Sequence, residues 1–116
     1  MINPKFGDHV ICSGWLVKNS LEYFEKPDDL LKKLDETADC VYVQETYSLI
    51  DAPCGGIVIG KVTINKELHL FYEEDDQHRA PYVYGRRDKP IKVAKVAYGI
   101  NKVFLVPIDL IEEIVK

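Results

Sequence analysis

Residues 57–64 read Ile57-Val58-Ile59-Gly60-Lys61-Val62-Thr63-Ile64, and this stretch decides the fold class. Most of its side chains are branched at Cβ, which restricts their rotamers and favours strands over helices. Its first half is apolar on both faces, as in a strand near the middle of a sheet or barrel. We therefore predict a central β-strand here, followed by a hairpin turn at Asn65-Lys66 and a return strand over residues 68–72.

Two segments before this strand also predict β-structure. Residues 8–17 follow a glycine-aspartate turn and are rich in β-branched and aromatic side chains, which favours a first strand with a bulge at Gly14. Residues 40–50 alternate apolar and polar side chains, as in a half-buried strand. Residues 51–56 contain one proline and two glycines, so we expect a turn there.

The last third of the chain predicts a hairpin. Residues 82–84 are long enough only for a short strand, and the glycine, charged and proline residues of 85–90 indicate a turn after it. Residues 91–98 and 103–106 are rich in valine and predict two strands. Gly99-Ile100-Asn101-Lys102 would form the turn between them.

Two further segments indicate helices. Pro27, Asp28 and Asp29 place a proline and two acids at a helix start, ahead of an apolar stripe. That stripe consists of Leu30, Leu31, Leu34 and Ala38. Pro107 opens a second, short helical end with one apolar face. The apolar face consists of Ile108, Ile111, Ile114 and Val115.

Together these elements define a mainly β (α+β) fold class. We predict a small, strongly bent antiparallel sheet or an SH3-like partial barrel, with one inserted helix and a short C-terminal helix. An α+β sandwich is the alternative. The 116 residues fit a single domain, 1–116, because the chain is too short for two independently stable cores.

The net charge and the distribution of apolar residues argue against two classes of partner, nucleic acid polymers and membranes. The formal net charge of −4 argues against a nucleic acid polymer, because neutralising phosphates requires a basic face. The first residues lack the apolar run of a signal peptide, and no apolar run reaches transmembrane length. We therefore expect a cytoplasmic protein with no membrane partner.

Three cysteines are present, and their spacing fits neither a disulfide framework nor a zinc site. Cys12, Cys40 and Cys54 are odd in number and contain no Cys-x-x-Cys pair. Each lies in or beside an apolar stretch, where cysteine behaves as a small apolar side chain. We expect three reduced and mostly buried thiols.

The sequence carries no motif that predicts a cofactor or a metal. Residues 54–61 resemble a phosphate loop superficially, but the spacing of glycine and lysine is wrong and a strand follows instead of a helix. His69 and His78 flank the acidic residues 73–76, yet their spacing matches no defined ligand pattern. We interpret residues 73–77 as a solvated acidic loop, and we expect no metal and no cofactor.

We find no catalytic constellation in the sequence and predict that the protein is not an enzyme. A nucleophile needs a base and a third group that orients the base, and no local pattern pairs a cysteine with His9. Carboxylates are plentiful, but none stands in an apolar context that would single it out as an acid or base.

The segment that points to binding is residues 78–87, which interleaves arginines with tyrosines. Arginine grips a phosphate with two hydrogen bonds and stacks on a base, and tyrosine adds a flat ring and a hydroxyl. The candidate ligand-binding residues here are Arg79, Tyr82, Tyr84, Arg86 and Arg87. The alternative is a tyrosine-bearing edge strand between solvated loops, with arginines that balance charge.

The chain resembles the small phage proteins that counter the Thoeris defence system by sequestering its cyclic ADP-ribose signal. Three features carry the resemblance, and they span most of the chain. They are Phe6-Gly7-Asp8-His9-Val10, Cys54-Gly55-Gly56-Ile57-Val58-Ile59-Gly60-Lys61 and Lys95-Val96-Ala97-Tyr98-Gly99-Ile100-Asn101-Lys102-Val103-Phe104-Leu105-Val106-Pro107. The resemblance implies a non-catalytic viral sponge, a homo-oligomer whose subunit interfaces enclose a small signalling nucleotide.

Residues of the last hairpin are secondary candidates for contacting that nucleotide. Tyr98, Asn101 and Lys102 are nominated from their chemistry, and the turn carries Lys102 where an arginine would grip a phosphate better. Trp15, Tyr23 and Phe24 suit a subunit interface, where large aromatic side chains are enriched. Two other functions stay open: an SH3-like interaction module that inhibits a host protein, and an enzyme that acts on nucleotides.

Overall fold

Antiparallel β-strands make up most of the chain in the computed structural model, which describes residues 2–24, 26–33, 41–73 and 82–115. For Tyr82 only the backbone is described. The strands are β1 (His9–Cys12), β2 (Trp15–Lys18), β3 (Val41–Glu45), β4 (Tyr47–Ile50), β5 (Cys54–Glu73), β6 (Tyr82–Gly99), β7 (Lys102–Pro107) and β8 (Ile111–Val115). A short helix, α1 (Pro27–Leu31), and a 3-10 turn, Ile108–Leu110, complete the described elements. The predicted mainly β fold class is confirmed.

The strand order is β4-β2-β7-β6-β5-β1-β8, with β3 paired to β5 outside this path. β1 and β2 follow each other through Ser13 and Gly14 alone, yet three strands separate them in the order. In a flat sheet they would lie roughly 19 Å apart, because neighbouring strands are spaced by about 4.8 Å. The short link reaches only about 11 Å. The sheet between them must therefore curl, which agrees with the predicted strongly bent sheet.

Gly14 is required at this link by close packing. A Cβ atom there would lie 2.7 Å from the Ile50 carbonyl oxygen, and Gly14 is buried. The predicted first strand, 8–17, is thus two strands joined by a corner at Gly14. The bulge predicted at Gly14 is wrong, because the strand is interrupted there, and the register shift of β1 lies between Ile11 and Cys12. The predicted strand over 40–50 is likewise divided, at Thr46, into β3 and β4.

The chain divides into two compact units. The first comprises Met1–Asn19, Tyr47–Ile64 and Pro90–Lys116, and the second comprises Ser20–Thr46 and Asn65–Lys89. Because β5 and β6 are long, each contributes a segment to both units. Whether the chain is one domain, as its length predicts, stays a prediction.

The core of the first unit is built from small and β-branched side chains of five strands. It consists of Val10, Cys12, Val58, Ala94, Val96, Val106 and Ile111. Trp15 and Phe104 pack against this cluster, and their ring centroids are 4.7 Å apart. Trp15 is half-buried, so its ring contributes to the core and is only partly available to solvent.

The second unit contains α1 with the residues around it, β3, and the segments of β5 and β6 that lie within 65–89. Leu30 of α1 is fully buried, and Leu70 of β5 is buried as well. The side chain of Gln44 ties residues before the helix to β3, since the Glu22 N–H donates to its Oε1 at 2.8 Å and its Nε2 donates to the Glu22 carbonyl at 3.4 Å. The inserted helix begins at Pro27 as predicted, whereas Leu34 and Ala38 of its expected stripe lie outside the described residues.

The two turns predicted inside β5 and β6 are wrong. At Asn65-Lys66 the strand continues, and this pair lacks the glycine that a tight hairpin turn favours. Thr46 instead caps this position: its N–H donates to the Lys66 carbonyl at 2.9 Å and its hydroxyl to the Asn65 carbonyl. At residues 85–90 the strand also continues, with a local irregularity at Lys89, whose φ is 56°.

The C-terminal prediction is half right. The 3-10 turn at Ile108–Leu110 is a short helical element, but Ile111–Val115 form β8 and pair antiparallel with β1. Isoleucine and valine favour a strand, and β1 offers a free edge for pairing, so tertiary pairing overrides the helical spacing. The terminal hairpin is confirmed, with β6 and β7 joined by a turn in which Asn101 has φ 61°.

The described residues include no helix that is both long and apolar enough to cross a membrane.

Candidate functional site

One face of the second unit collects aromatic and charged side chains from two strands. On β5, Glu67, His69 and Phe71 lie at period two and therefore on one face. On β6 the same spacing relates Tyr84, Arg86 and Asp88. The Phe71–Tyr84, Phe71–Arg86 and His69–Asp88 contacts place the two sets on the same side. We call these six residues the 67–88 face.

The aromatic part of the 67–88 face is a stacked pair of rings. The Phe71 and Tyr84 centroids are 5.0 Å apart and the ring planes are inclined by 11°. The guanidinium carbon of Arg86 lies 5.4 Å from the centroid of Phe71. This distance is within the range of a cation–π contact, which holds the cation beside the rings. Tyr84 is 43% exposed and Arg86 is also exposed, so both groups can reach a ligand in solvent.

The polar part of the face is centred on His69. Its Nε2 lies 3.2 Å from Glu67 Oε1 and 3.8 Å from Asp88 Oδ2. Lys89 Nζ lies 3.3 Å from the second oxygen of Glu67. The hydrogen bond with His69, and then the proximity of Lys89, lower the pKa of the Glu67 carboxyl below its usual range. Glu67 is thus held as a carboxylate that accepts from both neighbours.

These polar groups do not form a metal centre in the part of the chain that the structure describes. No group of three or more histidine, cysteine, aspartate or glutamate side chains there is arranged to hold a metal ion. His78 and the acids 74–76 were considered from the sequence as metal ligands together with His69. They lie outside the described residues. Glu73 is the last residue of β5.

A groove runs beside Tyr84 within the same unit. It has a volume of about 360 Å3, which is within the usual range of small-molecule sites. Its walls come from the chain before α1 and from β5 and β6. The lining residues are Leu21, Glu22, Tyr23, Phe24, Leu68, Leu70, Val83, Tyr84 and Gly85.

Close packing explains why glycine stands at position 85 of this groove. A Cβ atom on Gly85 would lie 3.2 Å from the Leu68 side chain and 3.4 Å from that of Leu70. The glycine predicted to form a turn therefore serves instead to let β6 approach these leucines. Phe24 also packs edge-on against Tyr42, with centroids 5.7 Å apart, which fixes one wall.

No protein-family model, curated protein or solved structure matches this chain.

The candidate residues of segment 78–87 have different positions. Tyr84 and Arg86 lie together on the 67–88 face, where Phe71 connects them. Arg87 is exposed, and strand alternation directs it to the opposite face. The backbone of Tyr82 begins β6, and Arg79 lies outside the described residues.

The candidates of the last hairpin belong to the first unit. Tyr98, Asn101 and Lys102 are all exposed around the β6–β7 turn. The Tyr98 ring stacks on Phe104 with centroids 3.9 Å apart and an interplanar angle of 19°. Because Phe104 also contacts Trp15, these three rings form a continuous aromatic row. Tyr98 therefore has a structural partner, and half of its surface remains accessible.

Phe71, Glu67 and Asp88 were not predicted from the sequence as members of a site, and His69 was considered only as a metal ligand. The turns predicted at 65–66 and 85–90 concealed the pairing of two long strands. The signal was present in the alternation of Glu67, His69 and Phe71, which puts a charge, an imidazole and a ring on one face.

Proposed function

We propose that this protein is a non-catalytic binding protein that sequesters a signalling nucleotide, such as a cyclic ADP-ribose isomer or a cyclic dinucleotide. In this proposal it is a phage anti-defence protein that acts as a sponge in the host cytoplasm. The observation that carries the proposal is the juxtaposition of the Phe71–Tyr84 stack with the Arg86 guanidinium. The resemblance to Thoeris-countering phage proteins supports the same function.

The chemistry of these three side chains suits a nucleotide. An aromatic ring contributes about 1–3 kcal/mol for each base that stacks on it. A guanidinium forms two parallel hydrogen bonds with a phosphate and keeps its charge at every physiological pH. A ligand with both a base and a phosphate gains from each, whereas a free base or inorganic phosphate gains from one only.

Glu67 and Asp88 add discrimination to the same face. Two carboxylates repel an additional anion, so a phosphate is directed toward Arg86 and away from the polar part around His69. Carboxylate oxygens also accept hydrogen bonds from the hydroxyls of a ribose, as in dinucleotide-binding folds. We therefore expect ribonucleotides to bind in preference to simple dianions.

Sequestration requires slow release, and a homo-oligomer provides this when a second subunit encloses the ligand. The exposed Tyr23, with 84% of its surface accessible, is a candidate for such an interface, and so is Phe24. A preformed pocket lowers the ordering cost of binding and so favours high affinity.

Isothermal titration calorimetry with a panel of cyclic ADP-ribose isomers and cyclic dinucleotides tests the proposal. We expect one class to bind, to raise the melting temperature and to be recovered chemically intact after heat denaturation. Recovery of a cleaved product would show an enzyme instead. Binding that Tyr84→Ala and Arg86→Ala leave unchanged would remove the 67–88 face from the proposal.

The second candidate is a protein-interaction module that inhibits a host protein. The groove favours it, because Leu21, Leu68 and Leu70 give the groove an apolar lining that a partner side chain could fill. Co-purification from a bacterial lysate separates the two functions. A sponge retains small molecules, and an inhibitor retains a specific protein that Leu68→Asp releases.

A further inference from the structure

Cys12 and Cys54 lie directly opposite each other on adjacent antiparallel strands. The register of β1 and β5 pairs His9 with Ile57 and ends with Cys12 against Cys54. Directly opposed residues of an antiparallel pair have Cα atoms about 4.5 or 5.5 Å apart and project to the same face. Disulfides span Cα separations of about 4.4–6.8 Å. The backbone therefore already places the two Cα atoms at a separation that a disulfide can span.

The two thiols differ in their exposure to solvent. Cys12 is 1% exposed and belongs to the core cluster of the first unit. Cys54 is only half-buried, and its thiol donates to the Gly14 carbonyl at 3.7 Å. Both cysteines are free in this structure.

We propose that Cys12 and Cys54 form a reversible cross-strand disulfide when the protein meets a small-molecule disulfide of the glutathione class. The Cys54 thiolate attacks one sulfur of the oxidant, which expels one small thiolate and leaves a mixed disulfide on Cys54. Cys12 then loses its proton to solvent, and its sulfur attacks Cys54 and expels the second small thiolate. The two protein thiols are oxidised, and one small disulfide is reduced to two thiols.

The order of attack follows from access and ionisation. Burial, with a smaller contribution from the neighbouring Cys54, raises the pKa of Cys12 to about 12. Burial also raises the pKa of Cys54, whereas the neighbouring Cys12 thiol opposes that rise. Cys54 is therefore the thiol that meets the reagent, and Cys12 resolves the mixed disulfide from within the core.

The Cys12–Cys54 disulfide would cross-link β1 and β5 of the first unit. Closing a loop between distant residues restricts the unfolded chain, so the oxidised form should unfold at a higher temperature than the reduced form. In a reducing cytoplasm the thiol form prevails, so the disulfide would mark exposure to oxidising conditions.

The test uses the full chain with Cys40→Ser, which removes the third thiol and leaves the pair intact. The reduced protein is incubated with glutathione disulfide at pH 8, digested without reduction and mapped by mass spectrometry. We expect a peptide that joins Cys12 to Cys54, loss of both free thiols and complete reversal by dithiothreitol. A persistent glutathione adduct on Cys54 without the joined peptide would overturn the proposal.

Two further variants make the result independent of any single substitution. Cys12→Ser should accumulate the mixed disulfide on Cys54, because the resolving thiol is missing. Cys54→Ser should keep Cys12 unmodified over the same period, because Cys12 is buried. Rapid modification of Cys12 in folded Cys54→Ser, with native circular dichroism, would contradict the proposed order. In the wild-type chain, a joined peptide that contains Cys40 instead would also contradict the assignment.

Discussion

The ring of Tyr84 stacks on the ring of Phe71, with their centroids 5.0 Å apart and their planes inclined by 11°. The two residues come from different strands, so the stack is a cross-strand pair and not a feature of either segment alone. Arg86 stands at the next same-face position of β6 and reaches back over the Phe71 ring. A π surface and a permanent cation thus occur side by side at an exposed position.

The first prediction compares two adjacent arginines. Arg86→Ala should weaken nucleotide binding by roughly tenfold to a hundredfold, because a hydrogen bond to a charged group contributes about 1.5–3 kcal/mol. Arg87→Ala removes the same charge from the chain but from the opposite face, and we expect it to change the Kd less than about threefold. Isothermal titration calorimetry at fixed salt measures both. Equal losses would indicate a non-specific charge effect.

The second prediction concerns glycine in β5. A Cβ atom on Gly56 would overlap the Ala97 carbonyl oxygen, which is backbone and cannot rotate away. Gly56→Ala should therefore reduce the free energy of unfolding by about 1–3 kcal/mol or more. Gly60, on the same strand, has open space where its Cβ would stand, so Gly60→Ala should change stability by less than about 0.5 kcal/mol. Urea unfolding of the two variants measures the difference.

Strand-forming segments were predictable from the sequence because their side chains carry the information locally. The β-branched residues 57–64 and the hairpin around Asn101 are recognisable by composition and turn residues alone. The ends of strands were less predictable. At Asn65 the strand continues because Thr46, nineteen residues earlier, supplies hydrogen bonds that no local pattern reveals.

The C-terminal residues show a second limit of local reasoning. Ile111 and Ile114 fit the period of a helix, but pairing of this segment with β1 decides the outcome. The same holds for the candidate site. Tyr84 and Arg86 were recognised by their chemistry, whereas Phe71 becomes part of the site only once β5 and β6 are known to run side by side.

The third prediction concerns α1, where two adjacent leucines differ in burial. Leu30 is fully buried and Leu31 is 40% exposed. Leu30→Ala should lower the free energy of unfolding by about 2–5 kcal/mol, because it leaves a cavity in the packed interior. Leu31→Ala should cost only about 0.5 kcal/mol. Chemical denaturation of both variants provides the comparison, and a cost that is equal for the two would mean that α1 is not packed through Leu30.

The last prediction concerns the loss of folding stability at acid pH. The pKa of Glu67 is lowered from 4.5 chiefly by its hydrogen bond with His69, with Lys89 adding to the effect. A carboxyl with a lowered pKa in the folded state stabilises the protein above pH 4.5, and this contribution is lost as the pH falls through the lowered value.

Glu67→Gln should therefore flatten the loss of stability below pH 4.5, measured as the urea midpoint at successive pH values. The His69→Asn variant removes the partner that contributes most to the lowered pKa of Glu67. In that background, Glu67→Gln should change the pH dependence much less than in the wild-type chain, since only Lys89 remains. This double-mutant cycle separates the contribution of the Glu67–His69 hydrogen bond from the general effect of removing a charge. An undiminished effect of Glu67→Gln in the His69→Asn background would show that His69 does not hold this carboxylate.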